Sequence, residues 1–277
     1  MNAARVLLLR RPRRRAIPPV LIALLAAMFA VVLIAALLLL FTAAPARAES
    51  AASDPKAVKL ADDVMKALGG KQKWDALPGL RWTFGSSVND TVRSSRHHSW
   101  NKHTGWHRIE GKTRAGDTYV FLHNLNTGEG KAWMNGNPIE GDSLQKLLKR
   151  ANSLWINDTY WMLMPYKLRD PGVTLAMAGD STAGGVTWDR LALSFENVGD
   201  TPGDHYWVYV NRASHRVERW DMVLQSDQPP PRSYSWEGWE QHDGLWFPTA
   251  HRQDQVNVFT RDVETVREFK PNEFTAP

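Results

Sequence analysis

Apolar residues follow a helical period at the start of the region beyond residue 50. Asp54 is placed to cap a helix, and Pro55 occupies its first position. The apolar positions then recur at helical spacing as Val58, Ala61, Val64, Met65 and Leu68. The pair Gly69–Gly70 ends this pattern. We therefore predict an amphipathic helix of about four turns, followed by a short helical turn before Pro78.

From Gly79 the period changes to two. Leu80, Trp82 and Phe84 alternate with polar residues, which is typical of a strand with one buried face. Runs of this kind, separated by turn sequences such as Asn135–Gly136, continue to residue 269. The last of them are 234–241, 245–253, 256–260 and 263–269. The short separations favour antiparallel neighbours over parallel strands with long crossovers.

A second helical pattern interrupts the strands. Its apolar face carries Leu144, Leu147, Leu148 and Ala151, and Asp142 with Ser143 is predicted to cap it. It leads into Trp155–Val173, a segment rich in Trp, Tyr and Met that breaks at Pro165. Because methionine suits irregular apolar space, this segment is either ordinary core or a lid over an apolar cavity.

These elements predict an α+β fold. We expect an incomplete antiparallel β-barrel of about nine to eleven strands, with helices covering its concave apolar face. A tightly closed barrel fills its interior with side chains, whereas a partly open barrel leaves room for a ligand. All thirteen tryptophans lie beyond residue 70. They either line an apolar pocket or pack against one another.

The first 48 residues have the composition of an export signal. Five arginines between Arg10 and Arg15, with Arg5, precede the uncharged apolar run Val20–Phe41 and the cleavage-like sequence Ala44–Ala48. The run of 22 residues is also long enough to span a bilayer. Residues 1–48 are therefore predicted to be a signal peptide or an N-terminal membrane anchor, and residues 49–277 a single domain. Both alternatives place the domain in the periplasm, tethered to the inner membrane if the run is retained.

The net charge of +5 belongs to this leader. Its seven basic residues are part of 34 in the chain, which leaves 27 basic against 29 acidic residues in the rest. The exported domain therefore has no basic excess that would indicate nucleic acid as a partner. The absence of cysteine excludes disulfides, thiolate metal sites and a cysteine nucleophile.

Candidate catalytic and metal-binding patterns are weak. His97, His98, His103 and His107 lie close together, but Gly105 and strand-like flanks favour a solvated strand face or loop over a metal site. No nucleophile elbow, phosphate-binding loop or dinucleotide fingerprint is present. We therefore predict no enzyme activity, no catalytic residue, no metal and no cofactor. An envelope hydrolase, the remaining alternative, would need a polar cluster inside the cavity.

Several motifs resemble the LolA-like superfamily of periplasmic outer-membrane lipoprotein-sorting and carrier proteins. They are Leu68–Gly70 with Trp74, the hairpin from His205–Asn211 to Arg216–Trp220, and Gly244–Thr249. Asp158–Val173 resembles one subgroup of that superfamily. The resemblance covers most of residues 55–270. It implies a half-barrel whose hydrophobic cavity, covered by helices, binds lipids or the acyl chains of lipoproteins without catalysis.

This resemblance assigns ligand-binding roles to aromatic and methionine side chains. The expected wall residues are Trp82, Phe84, Trp106, Trp133, Trp207, Tyr209, Trp220 and Trp246, and the expected lid residues are Tyr160, Trp161, Met162 and Met164. The expected function is lipoprotein sorting or lipid transport, with lipid or lipoprotein acyl chains and envelope proteins as partners. The alternative is a membrane-anchored sensor or protein-interaction domain of the same fold, which contacts the membrane through Val20–Phe41.

Overall fold

The computed structural model describes residues 52–196, 203–225, 227 and 229–277. The predicted leader, residues 1–48, lies outside this part of the chain. Within the described residues, no helix is long and apolar enough to cross a membrane.

Three α-helices occur in the described residues: α1 at Pro55–Ala67, α2 at Lys71–Ala76 and α3 at Gly141–Leu163. Helix α1 begins and ends as predicted. The Lys56 backbone N–H donates to Asp54 Oδ1 at 2.8 Å, and the chain leaves the helix through Gly69 at φ +116°. The helix buries its apolar stripe beneath the sheet, with Ala57, Ala61 and Val64 fully covered.

Helix α3 differs from the prediction at both ends. Its N-cap is Glu140, which makes no side-chain capping bond, so the prediction that Asp142 and Ser143 cap the helix was wrong. Asp142 lies instead in the first turn, where its charge complements the helix dipole. The helix continues through Leu163, so the first half of the aromatic segment is helical. A 3₁₀ turn at Met164–Tyr166 accommodates Pro165.

The strands are more numerous than predicted because several runs divide. The part of the chain that the structure describes forms fifteen strands: β1 (Gly79–Val88), β2 (Thr91–Asn101), β3 (Trp106–Lys112), β4 (Thr118–Asn124), β5 (Gly130–Met134), β6 (Asn137–Ile139), β7 (Val173–Ala183), β8 (Val186–Phe195), β9 (His205–Asn211), β10 (Val217–Val223), β11 (Arg232–Ser235), β12 (Glu240–His242), β13 (Leu245–Phe247), β14 (Ala250–Gln253) and β15 (Val256–Val266). Runs 234–241 and 245–253 each form two strands. Conversely, 256–260 joins the start of 263–269 in β15.

Every strand pair between residues 79 and 266 that the structure describes is antiparallel, and the two main sheets form an open surface. One sheet has the order β14-β15-β1-β2-β3-β4-β5-β6, and a second has the order β11-β10-β9-β8-β7. They meet where β11 lies beside β14: Arg252 N–H donates to Ser235 Oγ at 2.9 Å, and Glu237 bridges to Ala250. The outer strands β6 and β7 are not paired with each other. The predicted α+β fold, an incomplete antiparallel barrel, is confirmed.

Helix α3 covers part of the concave face of this surface. Its first half packs over Ile109, Phe121 and Ala132 of β3, β4 and β5, with Ala151 fully buried at the contact. The 3₁₀ turn that follows is tied to the end of α1. Tyr166 Oη lies 3.0 Å from Leu68 O and 2.8 Å from Trp246 O. The second half of α3 is therefore held at both ends against the barrel.

Candidate functional site

An apolar cavity of about 960 Å³ lies between the second half of α3 and the five-stranded sheet. Helix α3 contributes Ser153, Trp155, Ile156, Asn157, Thr159, Tyr160 and Trp161. The sheet contributes Val173, Phe195, Tyr206, Trp220, Met222 and Leu224. A cavity of this size with predominantly hydrophobic and aromatic walls is typical of small-molecule binding sites.

Strand alternation selects which sheet residues reach the cavity. On β10, Trp220 and Met222 point inward, whereas Arg219 and Asp221 form an ion pair on the opposite face. On β9, Tyr206 lines the cavity and Val208 continues the same buried face. The helix presents Ser153, Ile156 and Tyr160 because residues three and four apart share one face.

Aromatic contacts join the helix side of the cavity to its sheet side. The Trp161 and Trp220 rings meet edge to face at 4.7 Å, and the Tyr160 and Tyr206 rings at 5.8 Å. Burial raises the pKa of both tyrosines well above the usual value, so the phenols stay uncharged at neutral pH. The aromatic walls therefore present no charge to a ligand.

Polar groups lie at the edge of the cavity. Lys167 and Asp170 form an ion pair there, and both side chains are partly exposed. Asp204 is buried and accepts hydrogen bonds from Tyr206 Oη at 3.1 Å and from the Gln225 N–H at 2.7 Å. The site thus combines an apolar body with a polar margin, which suits a ligand that is mainly hydrocarbon.

Three of the twelve predicted ligand-binding residues line this cavity: Tyr160, Trp161 and Trp220. Trp82, Phe84, Met162 and Met164 are buried in the central core. The aromatic segment is therefore core along one side, while Tyr160 and Trp161 on the other side reach the cavity.

The other five predicted ligand-binding residues lie away from both the cavity and the face that α3 covers. Trp106 and Trp133 alternate with the buried His107 and Ala132, so they lie on the face away from α3. Trp207 and Tyr209 likewise alternate with Tyr206 and Val208, and Tyr209 Oη donates to Asp221 Oδ2 at 2.7 Å on the outer side. Trp246 is half-buried beneath the Arg216 guanidinium, which lies 3.8 Å above its ring. None of these five lines the cavity.

Sequence reasoning missed Tyr206, Phe195 and Met222. The polar residues of these strands could have indicated which face points outward. On β9, the alternate set that contains Trp207 and Tyr209 ends at the polar Asn211, which marks the outward face. The set containing Tyr206 is apolar throughout, as expected for the inward face.

An ion pair anchors α3 beside the cavity. Asp158 is fully buried and accepts two hydrogen bonds from Arg96 on β2, at 2.7 Å from Nε and 2.9 Å from Nη2. The guanidinium also lies over the Phe84 ring at 5.2 Å. Burial opposes ionisation of Asp158, but the contact with His98 and, after it, the hydrogen bonds from Arg96 hold the pKa of this carboxyl below its usual value.

The histidine group is more buried than predicted. His97 and His103 are exposed, but His98 and His107 are fully buried beneath α3, so the predicted solvated strand face was wrong for these two. His98 Nδ1 lies 3.0 Å from His107 Nε2, and both rings pack near Trp82. Across the described ranges, no group of three or more His, Asp or Glu side chains is placed to hold a metal ion.

Comparison with known proteins gives matches among solved structures alone. No protein-family model and no curated protein matches the chain. A DUF1329 family protein from Desulfovibrio piger is 12% identical, covers 80% of this chain and 98% of its own, and has a TM-score of 0.46. A LolA superfamily protein from Nitrosomonas europaea is 10% identical, with coverages of 79% and 97% and a TM-score of 0.45. An outer membrane lipoprotein-sorting domain from Vibrio parahaemolyticus is 9% identical, with coverages of 79% and 96% and a TM-score of 0.44.

Two of these structures are described as a LolA superfamily protein and a lipoprotein-sorting domain, the group that the sequence motifs resemble. With identities of 9–12% and TM-scores below 0.5, they carry no argument about what this chain binds. The proposals below rest on the cavity and on the contacts around it.

Proposed function

We propose that this protein is an exported, non-catalytic binding protein that holds an acyl chain or another elongated apolar ligand between α3 and the five-stranded sheet. The observation that carries the proposal is the cavity of about 960 Å³ with uncharged aromatic walls. Burying each methylene of a chain contributes roughly 0.8 kcal/mol, so a single tail gives useful affinity without specific polar contacts. Periplasmic location and lipid or lipoprotein transport belong to the same proposal.

Native mass spectrometry of the protein purified from the envelope fraction tests both the ligand and the leader. We expect a mature chain beginning at Glu49 and an acyl species that is released by organic extraction. A mass that includes residues 1–48, without lipid, would instead favour the membrane-anchored sensor or interaction domain.

A cavity-filling variant tests the site itself. Ser153 lines the cavity, whereas its neighbour Asn152 is exposed on the same helix. We expect Ser153→Trp to lower the affinity for a fluorescent fatty acid at least tenfold, because the indole occupies the ligand space. Asn152→Trp adds the same ring outside the cavity and is expected to keep wild-type affinity. Equal affinities in both variants would exclude this cavity as the binding site.

A further inference from the structure

A row of buried histidines crosses three strands beneath α3. His98, His107 and His123 lie on β2, β3 and β4 and are at most 3% exposed. Asp158 Oδ2 is 3.1 Å from His98 Nε2, His98 Nδ1 is 3.0 Å from His107 Nε2, and the His107 and His123 rings meet edge to face at 4.9 Å. We call Asp158 and these three histidines the latch cluster.

The charged groups around the latch cluster balance one another while the imidazoles are neutral. Arg96 on β2 neutralises Asp158 on α3, and β1 contributes the uncharged Trp82 ring, which stacks on His98 at 4.6 Å. Tyr119 on β4 has a pKa raised by burial and is neutral. The other ionisable groups with an electrostatic effect on the cluster or on Tyr119 are the exposed His97 and Arg150. The three imidazoles are therefore the members of the cluster that gain positive charge in acid.

The contact geometry limits how many protons the cluster accepts. A hydrogen bond between His98 Nδ1 and His107 Nε2 needs one N–H and one lone pair, so protonating both rings would oppose two N–H groups at 3.0 Å. Among the described residues, His107 Nδ1 and both nitrogens of His123 are buried without a hydrogen-bond partner, so none of these residues supplies an acceptor for an added proton there. Burial lowers the pKa of His107 well below its usual value and that of His123 to about 4.

Trp155 connects the latch cluster to the cavity. Its ring lines the cavity and also packs against His107 at 4.6 Å and Trp100 at 4.8 Å. Asn157 and Thr159, which flank Asp158 in the sequence, line the cavity as well. A single turn of α3, residues 155–159, therefore contacts the histidines on one side and the ligand space on the other.

We propose that the latch cluster is an acid-sensitive closure of the cavity: protonation of its histidines releases residues 155–159 from the sheet, and the apolar ligand leaves. The departure of the ligand rests on the proposed function, whereas the release of residues 155–159 rests on the contacts beneath α3. An imidazole that is neutral in the closed state and protonated in the open state favours opening about tenfold for each pH unit below 6.5.

The test compares wild type, His107→Gln and His97→Gln at pH 7.5 and pH 5.0. His97 lies on the same strand pair but on the exposed face, so His97→Gln is the matched control. The probe is N-phenyl-1-naphthylamine, which is fluorescent in apolar sites and uncharged over this pH range. Hydrogen exchange of residues 155–163 is followed in parallel, corrected for the intrinsic rate at each pH, with α1 as the internal reference.

We expect wild type and His97→Gln to lose at least tenfold in probe affinity at pH 5.0, and to lose protection in residues 155–163 while α1 stays protected. His107→Gln should lose clearly less affinity and protection than wild type, because one of the three titrating groups has been removed. If all three proteins lose affinity equally, or if wild type binds the probe equally well at both pH values, the latch proposal is overturned.

Two other outcomes are also decisive. If the probe does not bind at pH 7.5, the proposed function fails and hydrogen exchange alone decides the latch: protection that does not change with pH overturns it. If circular dichroism shows that His107→Gln does not fold at pH 7.5, His123→Gln takes its place in the same comparison.

Discussion

Arg96 and Asp158 form a two-point ion pair that joins β2 to the middle of α3, with nitrogen–oxygen distances of 2.7 and 2.9 Å. The Asp158 side chain is fully buried and the Arg96 side chain is 16% exposed. The partners are 62 residues apart in the chain, so the pair exists only when the helix lies on the sheet. Because α3 forms one wall of the cavity, this contact links the stability of the helix to the shape of the site.

We expect Asp158→Ala to lower the free energy of unfolding by about 3–5 kcal/mol, because it leaves the Arg96 charge buried without its partner. Urea denaturation at pH 7.5 measures the loss. Asp142→Ala on the same helix is the control, since Asp142 is exposed and is expected to change stability by less than about 1 kcal/mol. Equal losses in the two variants would show that the ion pair does not anchor α3.

Trp161→Ala should weaken ligand binding and also destabilise the fold. The ring lines the cavity, but it also packs against Trp220 at 4.7 Å and Tyr234 at 5.0 Å. We expect a loss of about 2–4 kcal/mol in unfolding free energy, somewhat below that of a fully buried aromatic side chain, and at least a tenfold loss of fatty-acid affinity by fluorescence titration. Trp207→Ala removes an indole from the outer face and should leave affinity unchanged. A loss of affinity in Trp207→Ala would place the ligand on the convex surface.

Stability should fall below pH 6.5. Burial lowers the folded-state pKa of His123 to about 4 and that of His251 to about 3. The unfolded chain, with histidine pKa values near 6.5, therefore binds more protons, so the stabilisation is complete above pH 6.5 and is lost as the pH decreases. For His123 alone the full loss is about 3 kcal/mol on reaching pH 4. Urea denaturation between pH 7.5 and pH 4 measures this loss, and a flat profile would contradict neutral buried histidines.

Gly69→Ala should be more destabilising than Gly116→Ala. Both glycines have positive φ, +116° and +95°, so an alanine carries a conformational cost of roughly 1 kcal/mol at either position. A Cβ at Gly69 would also overlap Gly244 O, whereas at Gly116 nothing lies within 4 Å. The difference between the two variants in urea denaturation therefore reports the close approach of α1 to the β12–β13 turn. Equal losses would mean that this contact relaxes without cost.

Local patterns in the sequence predicted most of the secondary structure. The cap at Asp54, the exit at Gly69 and the alternation of Leu80, Trp82 and Phe84 are short-range features, and each depends on a few neighbouring residues. The predicted start of α3 was wrong because a capping residue type such as Asp142 does not by itself fix where a helix begins. The helix begins after Glu140, two residues earlier. Strand count was underestimated because breaks such as Gly238 do not interrupt the apolar pattern.

Hydrophobic periodicity and turn residues are enough to predict that the region beyond residue 50 is an antiparallel, helix-covered sheet rich in aromatic side chains. Which of these aromatic side chains face the cavity depends on the tertiary packing. Trp207 and Tyr206 are adjacent in sequence, and the twofold period of a strand places them on opposite faces without stating which face is inside. Likewise, nothing near His98 in the sequence identifies Asp158 as its neighbour, because α3 meets β2 through contacts 60 residues apart. The cavity and the latch cluster both arise from that packing.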